Sequence, residues 1–128
     1  MGANVHIITN NPLVAKKHGH CTSLLESDVA GIFKAARDKI HLGAVLINHP
    51  LAGSIKPNES PYKSLLLSLG RGVVDFQSLE LIEGAVYVLN KMPARSRVLS
   101  AQVLDDFQVI DLDLLDSAMK ALPAQYHL

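Results

Sequence analysis

Residues 49–63, HPLAGSIKPNESPYK, carry the side chains of this chain that are best suited to chemistry. His49 could act as a general acid or base, which is a common role of histidine in enzymes. Lys56 is a mobile cationic charge that could hold a carboxylate or a phosphate. Three polar side chains around the lysine offer hydrogen bonds to the same ligand: Ser54, Asn58 and Ser60.

Simpler explanations exist for these residues, and the sequence leaves them open. A histidine after a strand is often hydrogen-bonded to a neighbouring loop without any catalytic role. Asn58 and Ser60 could merely form turns and caps within a rigid, solvated loop. We nevertheless predict a binding loop, because a connection of about eleven residues exceeds the usual median of about 4 to 6 residues.

Polar clusters elsewhere in the chain favour simpler explanations. HGHC (18–21) offers two imidazoles and a thiol, but no second ligand cluster at zinc-finger spacing follows, so we predict no metal site. DLDLLD (111–116) is explained by helix capping and a solvated helical face. Neither GSIK (53–56) nor GRG (70–72) has the spacing of a nucleophile elbow, a P-loop or a dinucleotide fingerprint. We therefore expect no cofactor.

The spacing of apolar residues predicts strands and helices that alternate along the chain. The predicted strands cover 4–9, 22–26, 44–48 and 107–110. The predicted helices cover 12–17, 28–42, 61–70, 75–90, 96–106 and 111–122. Such alternation is typical of a parallel sheet covered by helices. We therefore predict one α/β domain over residues 1–128, a three-layer sandwich in which a mostly parallel sheet of about four strands has helices on both faces.

This architecture predicts where a ligand would bind. In an open parallel sheet, ligands bind beyond the carboxyl ends of the strands, where loops meet helix N-termini. The loops expected at that edge contribute Asn10, Asn11, Glu26, Asp28, 49–59, Asp111 and Asp113. From this set we predict the following ligand-binding residues: Asn10, Asn11, Ser54, Lys56, Asn58, Ser60 and Asp111. His49 is the candidate catalytic residue, and Asp111 is also placed to cap the last predicted helix.

Composition limits the classes of protein and of partner. A chain of 128 residues with 48% hydrophobic and 19% charged residues can bury a core and is not disordered. Its 12 basic residues balance 12 acidic ones, so we expect no nucleic acid and no membrane as partner. The single cysteine and the absence of a signal-like N-terminus lead us to expect a cytoplasmic protein.

Three stretches of the sequence resemble the GrdX-like proteins: ITNNPLV (8–14), NHPLAGSIKPNESPYKS (48–64) and LDDFQVIDLDLL (104–115). The resemblance covers nearly the whole chain, and its middle stretch is the most specific part. It implies an accessory protein of the glycine, sarcosine and betaine reductase systems of anaerobic bacteria, and it carries over no established catalytic residue. Cys21 lies outside all three stretches, which argues against a redox role.

Three functional hypotheses follow. The first is a non-catalytic accessory protein that binds a small anionic or amino-acid-like ligand with the Asn10–Asn11 turn and the Lys56 loop. The second is a small enzyme that uses His49 as acid or base while Lys56 holds an anionic substrate. The third is an assembly protein that forms a homodimer or docks on a reductase component through the apolar face of the predicted 75–90 helix.

Overall fold

The computed structural model of the chain describes residues 5–53, 56, 58–70, 72–93 and 98–123. The strands are β1 (Val5–Thr9), β2 (Thr22–Leu24), β3 (Val45–Leu46) and β4 (Ser64–Ser68). The helices are α1 (Pro12–His18), α2 (Val29–His41), α3 (Phe76–Lys91) and α4 (Ala101–Lys120), and a short 3₁₀ helix, Gly19–Cys21, precedes β2.

The four strands form one mixed sheet in the order β2-β1-β4-β3. β1 pairs in parallel with β2, whereas β4 runs antiparallel to both β1 and β3. The predicted α/β class with four strands is confirmed, but the predicted mostly parallel sheet is wrong. β4 returns directly after the 49–63 loop, without the helical crossover that a parallel connection to β3 would need.

The prediction of a helix over 61–70 is wrong, because this segment contains the strand β4. Ser60-Pro61 has the pattern of a helix start, yet Ser64, Leu65, Leu66 and Leu67 are all buried in succession. A strand that is covered on both faces does not alternate between apolar and polar residues, so its period cannot be distinguished from that of a buried helix.

The prediction of a strand over 107–110 is also wrong. A single helix, α4, replaces this strand and the two helices that were predicted on either side of it. α4 runs for 20 residues and begins at Ser100, whose side chain accepts a hydrogen bond from the Val103 N–H at 3.2 Å. The β-branched pair Val109 and Ile110 suggested a strand, but both side chains lie on the exposed side of the helix. Asp111 therefore does not cap a helix.

Hydrophobic side chains form two clusters on opposite sides of the sheet. Ile8 belongs to the cluster built with α2 and α3, whereas its neighbour Ile7 packs with Val14 of α1 and Leu115 of α4. Successive strand residues point to opposite faces, which explains the split. The stripe of α3 that was a candidate docking face packs against the first cluster, with Ile82 buried completely.

Two glycines provide a test of this packing. A Cβ at Gly84, in the middle of α3, meets nothing within 4 Å, whereas a Cβ at Gly70 collides with the backbone oxygen of Gly43. We expect Gly84→Ala to raise the free energy of unfolding by about 0.5–1 kcal/mol, through helix propensity. We expect Gly70→Ala to lower it by roughly 1–3 kcal/mol, through overpacking. Urea unfolding of both variants measures this, and changes of the same sign would contradict the arrangement.

Candidate functional site

Asp111 is a buried carboxylate in the middle of α4, only 8% exposed. Its Oδ2 atom accepts a hydrogen bond from the Ser64 hydroxyl at 2.7 Å and another from the Asn11 side-chain amide at 3.0 Å. Ser64 begins β4, and Asn11 follows β1 and caps α1. One carboxylate oxygen therefore connects α4 to two strands and a helix.

The hydrogen bonds around Asp111 form a closed ring. Because the Ser64 hydroxyl donates its single proton to the carboxylate, the Thr9 hydroxyl, 2.7 Å away, donates to Ser64 Oγ. The Asn11 backbone N–H donates to Thr9 Oγ1 at 2.9 Å, and the Asn11 side chain completes the ring at Asp111. Thr9 and Asn11 are fully buried, so the ring fixes this end of the sheet rigidly.

Lys63 brings a positive charge to the same place. Burial lowers the pKa of the lysine, and the negative charge of Asp111 opposes that shift. Burial raises the pKa of the Asp111 carboxyl, while the hydrogen bonds from Ser64 and Asn11 and the charge of Lys63 oppose it. Among the described residues, the Lys63 ammonium forms no hydrogen bond or direct ion pair, and no fully buried side-chain nitrogen or oxygen lacks a partner. The Lys63 ammonium therefore reaches solvent.

Two neighbouring clefts meet at these charges, and each contains about 330 Å³ of open space with its mouth included. Both are lined by Ala52, Lys63, Asp111 and Leu114. The first, the Lys56 cleft, is completed by Lys56, Ser60, Tyr62, Phe107 and Ile110. The second, the His49 cleft, is completed by Asn48, His49, Ser64, Leu115 and Ala118. A cation and a carboxylate thus face the same small volume of solvent.

Asn10 fixes the backbone beside the clefts. Its side-chain amide donates to the carbonyl oxygens of Ser27, at 2.8 Å, and Pro61, at 2.7 Å. Its side-chain oxygen accepts from the Lys63 N–H at 2.9 Å. Asn10 is a predicted ligand-binding residue, but its side chain forms hydrogen bonds to these three backbone groups. The bond to the Lys63 N–H holds the Lys63 backbone beside the two clefts.

The two residues of the predicted catalytic pair line neighbouring clefts. His49 is exposed in its cleft, and its Nδ1 accepts a hydrogen bond from the Leu51 N–H at 3.0 Å. In the neutral ring the proton therefore lies on Nε2. Lys56 is exposed at the other cleft. His49 and Lys56 thus line different clefts, and Lys63 and Asp111 lie between them.

The remaining predicted ligand-binding residues have varied positions. Ser60 lines the Lys56 cleft, and its hydroxyl oxygen accepts a hydrogen bond from the Tyr62 N–H at 3.1 Å. Asn58 donates to the Pro93 carbonyl at 3.0 Å, which ties the loop to the segment after α3. Ser54 lies outside the described residues.

Sequence reasoning missed Lys63 as a site residue, together with Thr9 and Ser64. Lys63 belongs to the 49–63 stretch, but the wrongly predicted helix also included it and no role was assigned to it. The signal that could have found it is its place between a Pro-containing loop and the apolar run Ser64–Ser68, since a residue that enters a buried strand lies at the sheet edge.

A second polar cluster lies on the far part of α4. Asp116 pairs with Lys17 at 2.7 Å and with the His18 ring at 2.8 Å. Burial raises the pKa of Asp116, but the hydrogen bonds and charges of Lys17 and His18 outweigh burial and lower it overall. Within the described ranges, no group of His, Cys, Asp and Glu side chains has an arrangement that could hold a metal ion. Among the described helices, none combines the length and the apolar character needed to cross a bilayer.

These features define a small mixed α/β protein with a candidate binding site where β4 begins and β1 ends. A family model described as GrdX-like protein matches residues 6–120, so the chain belongs to the GrdX-like family. The resemblance seen in the sequence is thereby confirmed. No curated protein and no solved structure shows significant similarity to this chain.

The raised pKa of Asp111 has a measurable consequence. A carboxyl with a higher pKa in the native state binds its proton more tightly when folded, so its contribution to stability is lost as pH rises from about 4 through the native pKa. We expect Asp111→Asn to remove this loss, because the Asn oxygen still accepts from Ser64 and Asn11. The free energy of unfolding of Asp111→Asn, relative to the natural chain, should increase across that window by at most about 1.4 kcal/mol per pH unit.

Urea unfolding at a series of pH values from 4 to 8 measures this difference. Asp113→Asn is the matched control, because Asp113 is an exposed carboxylate on the same helix. The same pH dependence in Asp113→Asn, or none in Asp111→Asn, would show that the titration of Asp111 is not the cause.

Proposed function

We propose that this chain is a non-catalytic accessory protein that binds a small amino-acid-like ligand between Lys63 and Asp111. The observation that carries the proposal is the pair of opposite charges, largely buried, that line the same clefts without forming a direct ion pair among the described residues. A zwitterion supplies the missing partner to each of them, since its carboxylate fits the Lys63 ammonium and its ammonium fits the Asp111 carboxylate.

Burial makes this complementarity effective. Interactions between charges are stronger where water is partly excluded, and the lowered pKa of Lys63 together with the raised pKa of Asp111 reports such exclusion. A ligand that carries both charges reverses the electrostatic cost at both residues at once. An anion without an ammonium group satisfies Lys63 only, so we expect it to bind more weakly than an amino acid does.

The lining of the Lys56 cleft suits a small ligand, and Lys56 itself adds a weak contact at the exposed side of the cleft. Phe107, Ile110 and Leu114 form an apolar wall of this cleft along α4. Lys56 is exposed at this cleft, where it adds attraction for a carboxylate that salt would screen.

The family gives this ligand class a context. The resemblance to GrdX-like proteins implies an association with glycine, sarcosine and betaine reductase systems, whose substrates are small compounds that carry both charges. We therefore propose glycine and its N-methylated relatives as the first ligands to test. A cytoplasmic location, consistent with the single cysteine, is part of the same proposal.

The two other hypotheses have less support. An enzyme that uses His49 with Lys56 would need both residues at one substrate, whereas His49 lines one cleft and Lys56 lines the neighbouring cleft. Assembly through the apolar stripe of α3 would need a free face, whereas Leu79, Ile82 and Val86 pack against the core beside α2.

Thermal unfolding tests the proposed function. We expect glycine at about 100 times its dissociation constant to stabilise the natural chain by roughly 2.7 kcal/mol. Acetate, which lacks the ammonium group, and methylammonium, which lacks the carboxylate, should each stabilise it less at the same concentration. We expect Lys63→Met to lose the effect of glycine, because Met keeps the apolar stem and removes the charge.

Lys34→Met is the matched control, because Lys34 is an exposed lysine on α2, outside the lining of either cleft. Equal stabilisation of Lys63→Met and Lys34→Met by glycine would contradict the site. If the natural chain is folded and none of glycine, sarcosine and betaine stabilises it, the proposed ligand class is wrong.

A further inference from the structure

We propose that Lys63 is a reactive amine that forms a reversible imine with a small 2-oxo acid held in the Lys56 cleft. The inference rests on the proposed function in one respect, namely that the cleft admits a small carboxylate. It goes beyond that function because it assigns covalent chemistry to this residue and names a second class of ligand.

The surroundings of Lys63 make its ammonium easier to deprotonate than that of an exposed lysine. A lysine attacks a carbonyl carbon only with its lone pair free, and burial away from an ion-pair partner is a recognised means of freeing it. Lys63 is largely buried, lines both clefts and forms no direct ion pair among the described residues. The lowered pKa of Lys63 agrees with this geometry.

Asp111 supplies the acid that imine formation needs. The two side-chain donors, Ser64 and Asn11, both bond to Oδ2, so neither of these side chains occupies Oδ1. Burial raises the pKa of Asp111, so this carboxyl holds a proton more tightly than an exposed carboxyl does. A 2-oxo acid brings no ammonium group, so the protonated carboxyl is also the better partner for this ligand.

The step balances without any oxidant or reductant. The Lys63 nitrogen bonds to the carbonyl carbon, and the carbonyl oxygen takes up a proton from the attacking amine, which gives a carbinolamine. The carbon–oxygen bond then breaks, and the hydroxyl leaves as water with the proton from Asp111. The nitrogen lone pair forms the C=N bond, so the products are a protonated imine, water and the Asp111 carboxylate.

Lys56 gives the site its preference for an acid over a simple aldehyde. Its ammonium lines the same cleft as Lys63, where it can hold the carboxylate next to the reacting carbonyl. The apolar wall of Phe107, Ile110 and Leu114 leaves no further charge for a larger polar ligand on that side of the cleft.

Reductive trapping tests the inference on the full chain. Glyoxylate is added with cyanoborohydride at neutral pH, and intact mass and peptide mapping locate the carboxymethyl groups. We expect one group on Lys63, formed at least about tenfold faster than on Lys34 in the same molecule. Lys63→Met should lose the fast reaction, and acetate should compete with it. Asp111→Asn should slow the trapping by about tenfold or more.

The role of Lys56 has its own comparison. We expect Lys56→Met to slow the trapping of glyoxylate severalfold and to leave the trapping of acetaldehyde, which has no carboxylate, unchanged. The pH profile is a further measure, because trapping at Lys63 should reach its maximal rate at a lower pH than trapping at Lys34. The inference would be overturned if lysines were labelled in proportion to their exposure. It would also be overturned if trapping at Lys63 and at Lys34 had the same pH profile.

The outcomes separate the two proposals. If glycine stabilises the chain but Lys63 is not trapped preferentially, the binding function stands and the imine is wrong. If glyoxylate and acetaldehyde both trap Lys63 rapidly while no carboxylate stabilises the chain, the reactive lysine stands without an anion site, and the binding function is wrong. If neither effect is seen in the folded chain, both proposals are wrong.

Discussion

A carboxylate buried inside a protein has to be hydrogen-bonded, because the cost of removing it from water is otherwise too large for a small domain. In this chain that requirement falls on Asp111, and the residues that meet it come from separate elements. Ser64 begins β4, Asn11 follows β1 and caps α1, and Thr9 ends β1. The hydrogen bonds to this carboxylate therefore act together with the packing of Leu115 to hold α4 on the sheet.

Much of the fold could be predicted where burial leaves a clear pattern. α2 was predicted because its buried residues, among them Ile32 and Phe33, repeat at helical spacing beside exposed ones. β4 was not, because Ser64–Ser68 is covered on both faces and its sequence contains no alternation. α4 was divided wrongly at Val109 and Ile110, since local β propensity outweighed the helical spacing of residues farther apart.

The structure changes the setting of two residues of the candidate site, Asp111 and Lys63. Asp111 was chosen as a helix cap at the sheet edge; the structure keeps it at the edge but places it in the middle of a helix. Lys63 was hidden by the wrong secondary structure. The mixed sheet explains why these residues still lie at one edge of the sheet. Because β4 is antiparallel to β1, the start of β4 lies beside the end of β1. Residues that enter one strand therefore join residues that leave another, an arrangement that a rule for parallel strands does not anticipate.

The bond between Asn11 and Asp111 joins residues 100 positions apart. On a ribosome, the N-terminal half of the site emerges long before the helix that completes it, and loop-closure entropy opposes so distant a contact until the rest has condensed. Until then Thr9, Asn11 and Ser64 bond to water instead of to the groups that they contact in the native structure. The site is therefore completed only after α4 has been synthesised, and a chain that stops before α4 would lack Asp111.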